Sequence, residues 1–378
     1  MKPLARGVMH AGFALTGVLT TLLGPVLPVL SARWRLDDAH SGLLFTAQFL
    51  GSLSGALLAS SITPRLGVRA VIAVGFATSA AGVMGVCAGP WTAGLSGVAI
   101  WGVGLGLVIP STNLLVAGSN PGRRAAALNV LNFAWGVGAV AAPPATAALM
   151  PQIGLLRFLW SLAFLLAAVA LFVSLADLGV PAEPAPAAAR PIWHDSWIWL
   201  TGAFLFLYVG VENSLAGWMP SYALRVVRAP PGLMATAQTG FWGAILGVRL
   251  LAPAVLRRIS PSRLILCGLA LAAAGMVVLL ALVSIGGLIA GALLAGIGLA
   301  GVFPTAVALF TERAAAQGPR VTGLVFAMAA LGGATVPWVA GSISTRSGSL
   351  RLALAVPLAC GLLMMLLHLR ETPGEGSG

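Results

Sequence analysis

The chain is a succession of long apolar runs cut by short clusters of Gly, Pro and Arg. Cut at that punctuation, it falls into runs at 7–30, 41–62, 68–88, 93–117, 124–149, 155–177, 197–221, 232–256, 263–283, 287–311, 321–343 and 350–369. Each is close to the roughly 20 apolar residues that a helix needs to cross a bilayer. The pattern predicts twelve spanning helices. One stretch breaks the rhythm: Asp177 to Ser196 is polar and holds Pro181, Pro184, Pro186 and Pro191 with Glu183 and Arg190. Clustered prolines make a semi-rigid connector. The expected organisation is a six-helix half over 1–178, a linker over 179–196 and a second six-helix half over 197–378.

An internal repeat supports that cut. The fourth run reads Gly102-Val-Gly104-Leu105-Gly-Leu-Val-Ile-Pro110-Ser111, and the tenth reads Gly296-Ile-Gly298-Leu299-Ala-Gly-Val-Phe-Pro304-Thr305. Gly102 to Gly296 and Pro110 to Pro304 share an offset of 194. The fifth and eleventh runs carry Gly138-Ala139 and Gly333-Ala334 at an offset of 195, with Pro143 and Pro337 one residue out of step. The fold class expected is an all-α membrane protein of twelve transmembrane helices in two pseudo-symmetric halves. In such transporters the substrate site lies near the bilayer midplane, at the interface of the repeats.

Composition removes the alternatives. Of 378 residues 59% are hydrophobic and 8% charged, where soluble domains carry about 25% charged. Disorder needs the opposite balance, and three cysteines are too few for a disulfide scaffold. Cys87, Cys267 and Cys360 sit in apolar runs and read as packing residues. The net charge of +12 would suggest nucleic acid in a soluble protein. Here the basic residues occupy short loops, so no nucleic-acid partner is expected. With the N-terminus inside, thirteen basic residues fall on the cytoplasmic side and seven outside, with Arg249 within a span. That bias predicts a multi-pass inner-membrane protein with both termini in the cytoplasm. The first run is too long for a signal-peptide core and is followed by no small-residue cleavage site, so it counts as a span.

Candidate chemistry stands out because it is rare. Eight of nine acidic residues fall in loops, the linker or the tail; Glu212 alone lies mid-span. A charge at mid-bilayer costs roughly 3 kcal/mol, so such a residue faces a cavity or a partner and is a functional candidate. Tyr208 is one helical turn earlier on the same face, and Asn213 follows. In the fifth run Asn129, Asn132 and Trp135 recur every three residues and line one face. Gln238 and Trp242 are four apart in the eighth, and Asn113 lies in the fourth. Amides offer directional bonds to hydroxyls, and an indole offers a flat face to C–H groups; together they suit a sugar. Cross-helix glue is the competing role for each amide. Arg249 is expected to be structural or gating, near the cytoplasmic end of its span. His10, His40, His194 and His368 show no metal-ligand spacing, and no metal or cofactor is expected beyond a coupling proton. There is no phosphate-cradling loop and no Ser/His/Asp or Cys/His constellation, so neither ATP hydrolysis nor enzymatic chemistry is expected.

The two-half pattern resembles the major facilitator superfamily. The loop between its second and third helices is marked by Gly-x-x-x-Asp-Arg-x-Gly-Arg-Lys. This chain reads Ser60-Ser-Ile-Thr-Pro64-Arg65-Leu-Gly67-Val-Arg69, so Arg65, Gly67 and Arg69 match and Pro64 replaces the Asp. Those three residues would be structural or gating. The C-terminal half is similar to the fucose and glucose/galactose permease branch. The similarity lies in Phe206-Leu-Tyr208-Val-Gly-Val-Glu212, Gly247-Val-Arg249, Leu256-Arg-Arg-Ile-Ser-Pro261, Phe303-Pro304-Thr305 and Met328 through Pro337. Leu128-Asn129 through Gly138-Ala139 resembles its fifth helix. The resemblance implies a sugar carrier working by alternating access; a monomer is expected. Proton-coupled members of that branch carry an Asp in the first helix and a Glu in the fourth, where this chain has Thr21 and Ile109. Either the protein is a uniporter, or Glu212 has taken over coupling.

The expected function is therefore carriage of a hexose or related polyol bound by Asn113, Asn129, Asn132, Trp135, Tyr208, Glu212, Asn213, Gln238 and Trp242. Export of amphipathic or cationic drugs or of lipids is the alternative. A non-transporting sugar sensor is a third, disfavoured by the absence of a signalling segment.

Overall fold

The computed structural model describes residues 3–176, 195–255, 259–314 and 319–371. Apart from Asp195 and Ser196, the expected linker 179–196 lies outside the described residues. Every regular element among the described residues is a helix. That follows from the solvent: hydrocarbon satisfies no backbone N–H or C=O, and a helix satisfies its own. The helices are α1 (Pro3–Thr21), α2 (Leu23–Trp34), α3 (Asp38–Leu66), α4 (Val68–Cys87), α5 (Trp91–Gly118), α6 (Arg124–Ile153), α7 (Leu155–Leu175), α8 (Ser196–Tyr222), α9 (Met234–Val255), α10 (Pro261–Ala281), α11 (Ile285–Ala300), α12 (Val302–Ala314), α13 (Pro319–Ser347), α14 (Leu350–Ala353) and α15 (Ala355–Glu371).

Among the described residues, ten helical segments are long and apolar enough to cross a membrane, and α1 with α2 makes an eleventh, bent by 47°. Helix α9, at 22 residues, stands where the sequence pattern expects the remaining span but is not among the segments apolar enough to cross. It is about 33 Å long at 1.5 Å per residue, but Gln238, Trp242 and Arg249 dilute its apolar character.

Three runs expected to be single helices are broken: at Leu22, Gly301 and Leu354. Each break has a proline three residues on: Pro25, Pro304 and Pro357. Proline has no N–H for the carbonyl four residues earlier, so Thr21, Ala300 and Ala353 lose their helical partner just where the helix stops. Pro110, Pro220 and Pro337 sit inside continuous helices, so the missing donor permits a break without forcing one.

The chain divides into two compact units. The first comprises Met1–Leu36 and Leu43–Ala185, and the second Asp37–Gly42 and Pro186–Gly378. In the first, α4 packs along α5 and α7, and α1 along α6. In the second, α10 packs along α11, α8 along α13 and α15, and α9 along α11. Lipid supplies no hydrophobic drive between helices, so small residues bring backbones together. A Cβ on Gly138 of α6 would run into the Ala14 carbonyl oxygen of α1, and one on Gly332 of α13 into the Phe206 carbonyl oxygen of α8. The contact corrects the register of the repeat. The partner of Gly138 is Gly332, not Gly333, which gives the offset of 194 found for Gly102 and Gly296 and also aligns Pro143 with Pro337.

The segment Asp37–Gly42 is held within the second unit by polar bonds. The Asp38 carboxylate accepts both terminal nitrogens of Arg225 and the Ser344 hydroxyl. The Ala39 amide donates to Thr345 Oγ1 at 2.9 Å. Asp37 caps the start of α3, accepting the His40 amide at 2.8 Å, and that bond holds its carboxyl below the usual carboxylate range.

Candidate functional site

Helix α8 carries the lone mid-span acid. Tyr208 and Glu212 lie one turn apart and so share a face. Tyr208 Oη is 3.1 Å from Glu212 Oε1 and 3.0 Å from the Leu299 carbonyl oxygen at the end of α11. A phenol has one proton, so it donates to one of these acceptors at a time. Arg249, from α9, reaches the same carboxylate, with Nη2 3.6 Å from Oε1. Its Nε donates to the Ala300 carbonyl at 3.3 Å. Ala300 is the residue whose helical partner Pro304 removes, so the guanidinium takes the place of the missing amide. Phe303 lies 5.2 Å from the Tyr208 ring and 6.4 Å from Phe326, forming an aromatic wall beside the charges. Tyr208 is fully buried, while the side chains of Glu212 and Arg249 are 13% and 33% exposed.

A carboxylate in hydrocarbon needs a compensating charge, and Arg249 supplies it. The phenol extends the site into a relay. With Glu212 ionised, Tyr208 donates to the carboxylate. With a proton on Glu212, the carboxyl donates to the phenol oxygen and the phenol donates to Leu299. Both states keep the phenol and the carboxyl bonded to each other, while a proton on Glu212 takes away the counter-charge of Arg249.

The other expected site residues divide between the units. In the second, Asn213 is half-buried and donates from Nδ2 to the Val209 carbonyl at 2.9 Å. Gln238 is fully buried on α9. Trp242 is 3% exposed and stands edge-on to Phe241 at 5.4 Å. In the first, Asn113 donates from Nδ2 to Ile109 at 2.8 Å and Asn132 to Leu128 at 2.9 Å. Asn129 and Asn132 are exposed on α6, with Trp135 half-buried. The amide carbonyls of Asn113, Asn132 and Asn213 are left over from these local bonds for other partners. Arg65 is exposed at the end of α3, Gly67 has φ +79° in the turn to α4, and Arg69 donates to the Ala176 carbonyl at 3.1 Å. That turn accounts for the glycine, since φ in this range is strained for other residues.

The structure adds two things that sequence reasoning did not bring to the site. The first is Arg249, which the sequence assigns to structure or gating and which stands in ion-pair reach of Glu212. The signal was available: one carboxylate and one guanidinium within the apolar spans are each other's cheapest partner. The second is the pair of carbonyls at the α11–α12 break, for which Pro304 is the only mark in the sequence. Gln48, on α3, has a different fate from Glu212. Its Nε2 donates to the Thr20 carbonyl at 3.1 Å and its Oε1 accepts the Trp101 indole at 3.0 Å. No cluster of three metal-ligating side chains exists among the described residues.

The apolar helices and the two units, each with its own glycine seams, define a multi-pass membrane transporter. The sequence profile of the Major Facilitator Superfamily matches residues 9–287, and the chain belongs to that family. Its fold is that of a secondary transporter working by alternating access. No curated protein matches it in sequence. Among solved structures it is similar to a bacterial homologue of the human lysosomal transporter Spinster, in an inward-facing and occupied conformation. That likeness has a TM-score of 0.75 at 16% identity and covers 98% of this chain and 97% of the other. It is also similar to the major facilitator transporter FucP in an outward conformation, at a TM-score of 0.66 and 18% identity over 98% and 99% of the two chains. A second structure of FucP, the E. coli fucose:proton symporter, gives 0.65 and 18% over the same shares.

Proposed function

We propose that the protein carries a hexose or related polyol across the bacterial inner membrane as a monomer, with both termini in the cytoplasm. The observation that carries this reading is the Tyr208–Glu212–Arg249 cluster. It is compact, charged, compensated and set against aromatic rings. A neutral polyhydroxylated cargo can donate to the carboxylate and accept from the guanidinium without adding net charge. In the second unit the binding residues are Tyr208, Glu212, Asn213, Gln238 and Trp242; in the first they are Asn113, Asn129, Asn132 and Trp135. The similarity to a fucose:proton symporter, together with the motif resemblance in the C-terminal half, supports a sugar. The two hydrogen-bonded states of the Glu212–Tyr208 relay support coupling of transport to a proton through Glu212, in place of the acids absent at Thr21 and Ile109.

Export of amphipathic compounds or lipids is the second reading, favoured by the aromatic wall of Phe303 and Phe326 and by the likeness to the Spinster homologue. A cationic cargo would have to displace Arg249 from Glu212, and this counts against the drug-export form.

The test is a thermal-shift and calorimetric screen of purified protein against hexoses, polyols and hydrophobic cations. A hexose is expected to bind, and Glu212→Gln to weaken it about 10- to 100-fold, the worth of a charge-assisted hydrogen bond. Sugar-driven pH change in proteoliposomes reports coupling. Sugar binding unchanged in Glu212→Gln would remove Glu212 from the site, and uptake indifferent to pH and protonophores would make the protein a uniporter.

A further inference from the structure

A separate cavity of about 310 Å³ lies within the second unit, away from the Glu212 cluster. It is lined by the start of α8, the start of α10, the end of α12 and the end of α15. In the orientation proposed above, all four of those helix ends are cytoplasmic. Its polar groups converge from separate helices. Arg313 closes α12 and is exposed with no ion-pair partner among the described residues. His368, on α15, is 6% exposed, and its Nε2 lies 2.9 Å from Ser262 Oγ of α10. Thr201, on α8, also faces the cavity. Among the described residues no acidic side chain lines it; Glu312, beside Arg313, does not. The 21-residue α10 begins here with Ser260 as its cap, adding the positive end of a helix dipole. The opposite wall is apolar, with Phe204 and Phe310 both buried.

A cation, a helix N-terminus, hydroxyls and an imidazole on one side, against aromatic and aliphatic groups on the other, match one chemistry: a phosphate ester joined to hydrocarbon. The volume is at the lower end of the range for small-molecule sites. The leaflet on that side is where anionic lipids meet basic pockets between helices. In the first unit α4 and α7, the third and sixth spans, pack closely, and Arg69 is already spent on the Ala176 carbonyl. We propose that this cavity binds the phosphate-bearing headgroup of an anionic glycerophospholipid of the cytoplasmic leaflet. The proposal rests on the orientation given above but not on the identity of the cargo.

The test uses the full-length protein in phosphatidylcholine nanodiscs, with and without phosphatidylglycerol, read by native mass spectrometry and thermal shift in the absence of sugar. Phosphatidylglycerol is expected to stay bound and to raise the melting temperature. Arg313→Gln, on an exposed position that folding does not need, should weaken binding about tenfold, one charge-assisted contact. Thr201→Leu, which fills the cavity with a methyl-bearing side chain, should do the same without changing charge. Arg123→Gln, in the first unit, should leave binding unchanged. Equal loss in Arg123→Gln and Arg313→Gln would reduce the effect to diffuse charge and overturn the proposal, as would full binding in both cavity variants. Equal protection by glycerol 3-phosphate or inorganic phosphate alone would overturn the lipid assignment in favour of a soluble phosphate. Because no sugar is present, failure here leaves the sugar reading untouched, and failure of the sugar screen leaves this result standing.

Discussion

The two units use the same seams and spend their polar residues differently. In the first, Gln48 is consumed by packing: Thr20 and Trp101 take both ends of its amide, and α5 runs unbroken through Pro110. In the second, the span that carries the matching Pro304 is broken at Gly301. The carbonyls at that break are held by Tyr208 and Arg249, which also hold Glu212. The difference teaches that a polar residue in a span is informative only through its partners. An amide satisfied by a backbone carbonyl and an indole is cement. A carboxylate satisfied by a partly exposed guanidinium and a one-proton phenol can exchange those partners for a ligand.

The comparison can be broken at its common ground first. Gly138→Leu and Gly332→Leu each drive a side chain into the backbone of a facing helix. Both should cost about 3 kcal/mol or more, read as equal falls in melting temperature or loss of monodisperse protein. If only one is damaging, the units do not share their packing rule.

Next comes the charge pair. Arg249→Leu leaves the Glu212 carboxylate uncompensated and should cost about 2–3 kcal/mol, somewhat less than a fully buried pair because Arg249 is partly exposed. The double variant Arg249→Leu/Glu212→Leu should recover most of that stability while binding no sugar. A double variant as unstable as the single one would show that the pair is not what Arg249 provides.

Gln48→Leu is the control in the other unit. It strips the Trp101 indole of its acceptor and should cost about 1–2 kcal/mol, with the affinity of the remaining folded protein unchanged. A fall in affinity would move Gln48 from cement to site.

The smallest effect belongs to Ser214 on α8, whose hydroxyl is buried and has no hydrogen-bond partner among the described residues. Ser214→Ala should lie within about 0.5 kcal/mol of neutral or stabilise, since it removes an unsatisfied group. A clear loss of sugar affinity there would add Ser214 to the binding residues.

The membrane fold was largely legible because the bilayer leaves few options. Apolar length alone marks the spans, and the Gly102/Gly296 and Pro110/Pro304 repeat marks the halves. The breaks were less legible. Pro25, Pro304 and Pro357 look in sequence like Pro110 and Pro337, and whether the freed carbonyl finds another donor depends on side chains from distant helices. The pairing of Gly138 with Gly333 is one residue from the 194 offset because adjacent glycines are interchangeable on paper, and it is Gly332 that meets the Phe206 carbonyl. At the site, Tyr208 and Glu212 followed from helical periodicity. Arg249, 37 positions further on, could follow only from charge balance across helices.

Ala300 ties the charge pair to the shape of the broken span. Its carbonyl is bare because a proline follows, and it is held by the same guanidinium that neutralises Glu212. Anything that draws Arg249 toward itself strands that oxygen in oil, and the cheapest relief is for the segment to straighten or bend further until water or another donor reaches it. If cargo binds at Glu212 as proposed, its arrival and the helix curvature compete for one cation.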